Sequence, residues 1–411
     1  MATSTSSLTT QLSALEETGP TGSSSSATDK AATYSALLTT ILQSSSITTD
    51  LPIWIRSVLS NGSLGIVAAR PLLTSAVQGI DSVSIHQQIA ISEATLSLLQ
   101  EKASSSTTYE EQDTALRQIL ARAYQANNEF TAAARTLERI PVESSSGAHK
   151  LSDSEKMRHW MTICRLYIED EDMSRAENFL NKAKTLRHRI TSFDSGDEDK
   201  EIQLQLALSQ ARILDSKREF LDASHAYHAV SQSVALAEED RATSLTQAIT
   251  TAVLAPAGPQ RSRLLARLFK DDRASSLPQF ELLSKMHLDR LVGVDEVRAF
   301  ASKLAAHQLA TTADGSTVLE KAMIEHNLLA ASRLYANLDF ESLGHLLGLE
   351  KERAEEVAAR MVEQGRVSGF VDQIDGVVVF EERSKLRAWD AGVAALVEDV
   401  ERVATLVGAV G

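Results

Sequence analysis

The chain has 411 residues, a formal net charge of −14, 43% hydrophobic residues and a single cysteine. The acidic balance argues against sequence-independent attraction to nucleic-acid phosphates or anionic membranes, and the lone Cys164 excludes an internal disulfide and suits a reducing compartment. No apolar run approaches the length of a membrane span, and only 7 Pro and 18 Gly point to a mainly helical chain built on Ala, Leu, Glu and Arg.

Residues 1–30 are rich in Ser and Thr, with a serine run at 23–26. No basic residue precedes Lys30 and no apolar segment is present, so neither a secretory nor a mitochondrial leader is expected, and this stretch reads as disordered. From Ala31 the pattern is helical. It is interrupted at Asn61-Gly62, by a polar loop from Pro141 and by an acidic loop from Thr191. Asn61-Gly62-Ser63 matches a glycosylation sequon, but nothing in the sequence routes the chain through secretion.

A weak repeat occupies the middle. Segments beginning at Leu120, Ile163 and Gln210 align without gaps and share Arg122, Arg165 and Arg212. Tyr124, Tyr167 and Leu214 coincide, as do Phe130, Met173 and Phe220. Ala133, Ala176 and Ala223 fall where two helices of a pair would approach closely, and Leu137, Leu180 and Tyr227 follow. This is the pattern of tetratricopeptide-like helix pairs, which specifies an architecture and not a ligand.

Towards the C-terminus the order of elements is helix, short strand, helix, helix, hairpin, which is that of a winged helix. The first of its two short helices opens at Asp339, a plausible N-cap, and buries Phe340, Leu343, Leu346 and Leu347. Gly348 lets the chain turn. The second helix carries Ala354, Val357, Ala358 and Met361 on one face, and Gly365 fits its C-terminus. Strands over 367–373 and 377–380 flank Asp375-Gly376, a pair that favours a tight type I′ turn. The hairpin is expected to offer an open strand edge through Val367, Phe370, Val371, Val377, Val378 and Val379.

The last segment, 384–411, reads as one long helix. Leu386, Trp389, Val393, Leu396, Val400, Val403, Val407 and Val410 alternate at spacings of three and four, with no charge on the seam. Such a stripe belongs to a coiled coil or helical bundle. The sequence thus divides into a disordered 1–30, an all-α solenoid of helical repeats over 31–318, a winged helix over 319–383 and a bundle helix over 384–411.

No HExxH, H-x-H, P-loop, GxGxxG or paired cysteine occurs. His225 and His228 form the only close histidine pair and lack further ligands in sequence; Cys164 sits on an apolar side, and His326 beside the stripe of Ile324, Leu328, Ala331 and Tyr335 reads as a packing residue. No catalytic residue, metal or cofactor is expected. The second winged-helix helix carries Glu350, Glu352, Glu355, Glu356 and Glu363 against Lys351, Arg353 and Arg360, the wrong balance for reading phosphates. A basic cluster, Arg261, Arg263, Arg267, Lys270 and Arg273, could instead dock an acidic partner.

A helical-repeat array, a winged helix and a terminal bundle helix together resemble the PCI proteins of the proteasome lid, the COP-nine signalosome and translation initiation factors. The strings from Ala257 (AGPQRSRLLARLFKDDR), from His307 (HQLATTADGSTVLEKAMIEHNLLAASRLYANL) and from Gly365 (GRVSGFVDQIDGVVVFE) are closest to the signalosome members. One departure is that the family's Thr-Phe-Glu-Glu capping box is Asp339, Phe340, Glu341, Ser342 here, which keeps the cap and loses the reciprocal acid. The resemblance implies a non-catalytic scaffold in a complex that removes a ubiquitin-like modifier from cullin–RING ubiquitin ligases, the hydrolysis lying in an MPN metalloprotease subunit. It implies PCI neighbours, the MPN pair and neddylated cullin–RING ligases as partners, the last through the N-terminal repeats. Location in cytoplasm and nucleus follows from the same resemblance. Alternative readings are a PCI subunit of the proteasome lid or of an initiation factor, and a nucleic-acid-binding winged-helix protein.

Overall fold

The computed structural model describes residues 2–17, 24–44, 46–61, 64–102, 109–142, 152–187, 197–311, 315–381, 389, 392–394, 396–400 and 402–403. The chain forms two compact units, residues 1–209 and 210–411.

The first unit is a succession of helices: α1 (Ala2–Glu17), α2 (Ser24–Leu42), α3 (Ile47–Ser60), α4 (Gly65–Asp81), α5 (Ile85–Lys102), α6 (Glu110–Ala126), α7 (Phe130–Glu138), α8 (Asp153–Glu169) and α9 (Met173–Arg187), with α10 (Asp197–Ser216) running into the second. From α5 to α9 each helix packs on the next, as a solenoid requires. Of the Ser/Thr-rich start, expected to be disordered, residues 2–17 form α1 and residues 24–30 the first turns of α2. Leu8, Leu12 and Leu15 recur at helical spacing, Leu12 is buried, and α1 packs on α3. Ser13 Oγ donates back one turn to the Thr10 carbonyl at 3.0 Å, so the helix leaves that hydroxyl satisfied. Asn61 closes the arrangement. It is buried, and its Nδ2 donates to the Leu15 carbonyl at 3.3 Å and to the Tyr34 hydroxyl at 3.2 Å, which leaves no free amide for a glycan.

The repeat is visible as backbone geometry. Each aligned segment is the end of one helix, a turn and the start of the next: α6–α7, α8–α9, and α10 with α11 (Phe220–Ser231). The turn residue at the same offset is left-handed in all three, with φ of 61° at Asn128, 62° at Glu171 and 64° at Arg218. The following N–H then donates to the carbonyl five residues back, Glu129 to Tyr124 at 2.9 Å, Asp172 to Tyr167 at 3.0 Å and Glu219 to Leu214 at 3.0 Å. This closure satisfies carbonyls left open at a helix end. Ala133, Ala176 and Ala223 are fully buried, as the helix-pair pattern requires.

The second unit continues with α12 (Glu238–Leu254), α13 (Pro259–Phe269), α14 (Phe280–His287), α15 (Val294–Ala301) and α16 (Val318–Leu334). The winged helix follows as β1 (Asn337–Asp339), α17 (Phe340–Leu347), α18 (Lys351–Glu363), β2 (Gly369–Asp372) and β3 (Val377–Phe380). Its core joins Phe340, Leu343 and Leu347 to Ala354, Ala358 and Met361, with Val367, Val378 and Phe380 from the wing and Leu328 from α16. Of the terminal helix, residues 389, 392–394, 396–400 and 402–403 are described, all helical. Among the described residues no helix is long and apolar enough to cross a membrane.

Candidate functional site

The winged helix is held by end geometry that its sequence dictates. Asp339 caps α17 by accepting from the Ser342 N–H at 3.0 Å. Gly348 ends α17 at φ +71° and Gly365 follows α18 at φ +65°; the next N–H in each case donates back five residues, Leu349 to Gly344 and Arg366 to Met361, both at 2.9 Å.

The wing differs from expectation in two respects. Its turn is a four-residue loop, since Asp372 and Val377 are opposite each other. The Asp372 carboxylate accepts from the Ile374 N–H at 2.9 Å and the Asp375 N–H at 3.2 Å, and of the loop residues only Gly376 has a positive φ. The side chain of Asp372 has replaced the type I′ pair as the organiser of the turn. Second, the sheet order is β1-β3-β2. β3 is therefore central, so Val377, Val378 and Val379 cannot be an open edge. Val378 is fully buried, and Val367 is also core at 3% exposed. The edge on the wing side belongs to β2. Glu381 donates to the Ser368 carbonyl directly across the ladder. By the alternation of antiparallel pairs, Phe370 and Asp372 then bond to β3 while Gly369 and Val371 turn their N–H and C=O groups outward. Phe370, half exposed, and Ile374, 97% exposed, flank this edge. Gly369 is needed there: its φ is +151°, and a Cβ would lie 2.1 Å from the Val379 carbonyl oxygen.

The basic cluster does not come together as one surface. Arg261 is 2% exposed; its Nη1 donates to the Ala255 carbonyl at 3.0 Å and its Nη2 lies 3.4 Å from His326 Nδ1. Arg273 forms a fork with Asp271 and donates to the Ser231 carbonyl at 2.7 Å. Only Arg263, Arg267 and Lys270 remain exposed, on one side of α13.

Arg261 belongs instead to a buried polar network that sequence reading missed apart from His326. Three consecutive residues of α16 reach three directions. Glu325 accepts from the Ala257 N–H at 3.1 Å and from Arg366 Nη1 at 2.7 Å. His326 Nε2 meets the Arg290 carbonyl at 2.9 Å. Asn327 accepts from the Val292 N–H at 2.9 Å and donates to its carbonyl at 3.1 Å. The network ties α13, the segment before α15 and the residue that begins the wing to one helix. A Glu-His-Asn run inside an otherwise apolar stretch of α16, Ala322 to Ala331, was the available signal.

Burial, reinforced by the Arg261 charge, pushes the His326 imidazole down to about 4. A histidine held below its unfolded value contributes stability that is complete above about pH 6.5 and is lost as pH falls toward 4, about 3 kcal/mol at full extent. The urea midpoint is expected to fall between pH 7 and pH 5, and by less in His326→Gln. Parallel pH dependence of the two would remove His326 as its origin.

The other sequence candidates are placed as follows. His228 is buried beside Asp271 at 3.7 Å while His225 is exposed, so they do not converge. Cys164 is buried and its thiol is pushed up to about 12 by desolvation, which suits packing and not nucleophilic attack. Among the described residues no group of three or more His, Cys, Asp or Glu could hold a metal. On the terminal helix Trp389, Val393, Leu396, Val400 and Val403 are all exposed, as is Val397 beside them. Leu386, Val407 and Val410 lie outside the described residues.

The described residues thus leave an apolar seam exposed and one strand edge turned outward. The family description "PSMD12/CSN4, N-terminal" matches residues 8–239, and "PCI domain" matches 281–382. A protein named COP9 signalosome complex subunit 4 from Emericella nidulans is 49% identical over 398 residues, covering 93% of this chain and 94% of that one. Proteins of the same name from Neurospora crassa and Drosophila melanogaster are 42% and 35% identical, each over 91% of this chain.

The chain belongs to the COP9 signalosome subunit 4 family.

In this subunit 4 relative the PCI match, 281–382, takes in the wing and the Glu325, His326 and Asn327 part of the polar network, while Arg261 and Ala257 lie before it. The face of α18 that a nucleic-acid-binding winged helix would present carries Glu352 and Glu363 exposed, while Arg353 and Arg360 are both engaged by Glu356.

Proposed function

We propose that the chain is a non-catalytic scaffold subunit of a signalosome that deneddylates cullin–RING ubiquitin ligases. The observation that carries this reading is the terminal seam, apolar and exposed over Trp389, Val393, Leu396, Val400 and Val403, on a member of the subunit 4 family. Soluble chains rarely leave so continuous an apolar stripe in water unless another chain covers it. Other signalosome subunits would bury it in a shared helical bundle, and a neighbouring PCI subunit would add a strand at Gly369 and Val371. The isopeptidase step would lie in an MPN metalloprotease partner, since Cys164 and His326 are buried packing groups and His225 and His228 do not converge. The N-terminal repeats would face the neddylated cullin–RING substrate, and the complex would act in cytoplasm and nucleus.

The test is purification of the tagged chain from native extract, with partners identified by mass. Signalosome subunits in stoichiometric amounts are expected, and Val371→Pro, which deletes one outward N–H, is expected to retain fewer of the PCI neighbours. Recovery of proteasome-lid or initiation-factor subunits would replace this reading with the corresponding PCI assembly.

A further inference from the structure

In the first unit α5, α6 and α7 enclose a groove of about 300 Å³. Its lining includes Arg117, Arg135 and Arg139, with Glu93 as the one carboxylate. These charges are not mutually satisfied. Arg117 is 6% exposed and clamped by Asp113 through Nε at 2.7 Å and Nη2 at 3.1 Å, so that pair is internally neutral. Glu93 is taken by the Tyr124 hydroxyl. Arg135 and Arg139 stand one helical turn apart, exposed, and their guanidinium groups make no hydrogen bond or ion pair among the described residues. A basic residue near the end of α7 complements the helix dipole, which accounts for either arginine singly but not for their sharing a groove with a third. The lining also includes Leu96 and Leu120, both buried.

Such a groove on a chain of net charge −14 selects by charge against the rest of its own surface. Guanidinium forks match carboxylates in pairs, and an extended peptide sends alternate side chains to opposite sides. We propose that this groove docks an extended acidic segment of a protein partner, its carboxylates on Arg135 and Arg139 and an apolar side chain on Leu96 and Leu120. Neither the terminal seam nor the strand edge enters this inference, so it stands or falls apart from the assembly reading.

The experiment is fluorescence anisotropy of a short labelled peptide alternating Glu and Leu, titrated with the full-length chain at low salt. Saturable binding is expected, and none with the same peptide carrying Lys for Glu. Arg135→Glu with Arg139→Glu is expected to weaken binding by roughly tenfold or more, while the circular dichroism spectrum and melting temperature stay those of wild type because both side chains are exposed. Arg135→Lys with Arg139→Lys keeps the charge, loses the forks and is expected to fall between. Absence of binding to the wild-type chain, equal binding by the charge-reversed variant, or complete displacement of the peptide by inorganic phosphate alone would each overturn the proposal.

Discussion

Leu396→Glu combined with Val400→Glu is expected to leave the isolated chain as stable as wild type and to remove it from its complex. Leu396 is 64% exposed and Val400 60% exposed, so in the free chain neither substitution buries a charge or opens a cavity. Exposed positions of this kind usually change stability by no more than about 0.5 kcal/mol. In a bundle the same positions face apolar side chains of other subunits. Two carboxylates there cost several kcal/mol unless they reach water, and each 1.4 kcal/mol is about a tenfold loss of affinity. Co-purification should therefore fall at least about a hundredfold while urea and thermal midpoints of the isolated chain hold. If the double variant unfolds the chain, the seam packs internally. If it co-purifies as well as wild type, the seam is not an assembly surface.

Periodicity and end signals made most of the architecture legible, because they act over a few residues. Asp339, Gly348 and Gly365 reported where α17 and α18 begin and end, and the three aligned alanines reported helix pairs. Periodicity likewise made the described part of the terminal segment, between Trp389 and Val403, legible as helix. What sequence could not give was which strand pairs with which. The strong β character of Val377 to Val379 suggests an edge, whereas the short β1, about forty residues earlier in the chain, claims its other side and makes it central. Strand order depends on contacts distant in sequence, and high β propensity itself suits a central strand better than an edge. The same limit explains Arg261. Five basic residues close in sequence looked like one patch, but helical geometry turns Arg261 inward with Leu264, Leu265 and Leu268, away from Arg263 and Arg267. The N-terminal helix was missed because Ser and Thr favour coil on average, while three leucines at helical spacing and a buried Asn61 favour docking.

Glu325→Leu is expected to destabilise the second unit by about 3–5 kcal/mol, the range seen when one member of a buried ionic network is removed. The carboxylate does three jobs at once. It accepts the Ala257 N–H, it pairs with Arg366 at the start of the wing, and its charge offsets that of Arg261, whose guanidinium burial already pulls down to about 10. Without it the Ala257 N–H loses its acceptor and two arginines face each other with Asp289 as the remaining nearby anion for Arg261. Leu fills similar space, so the effect is electrostatic and not a cavity. Hydrogen exchange is the suitable readout: amides of α16, α17 and α18 should open sooner than in wild type, and the urea midpoint should fall. Adding Arg261→Met to Glu325→Leu should recover part of the loss, because an apolar pair removes the stranded charge as well as its partner. A loss below about 1 kcal/mol from Glu325→Leu would mean that the network does not hold the winged helix to the helices before it. A double variant worse than the single one would place the cost in the lost Ala257 and Arg366 bonds and not in the buried charge of Arg261.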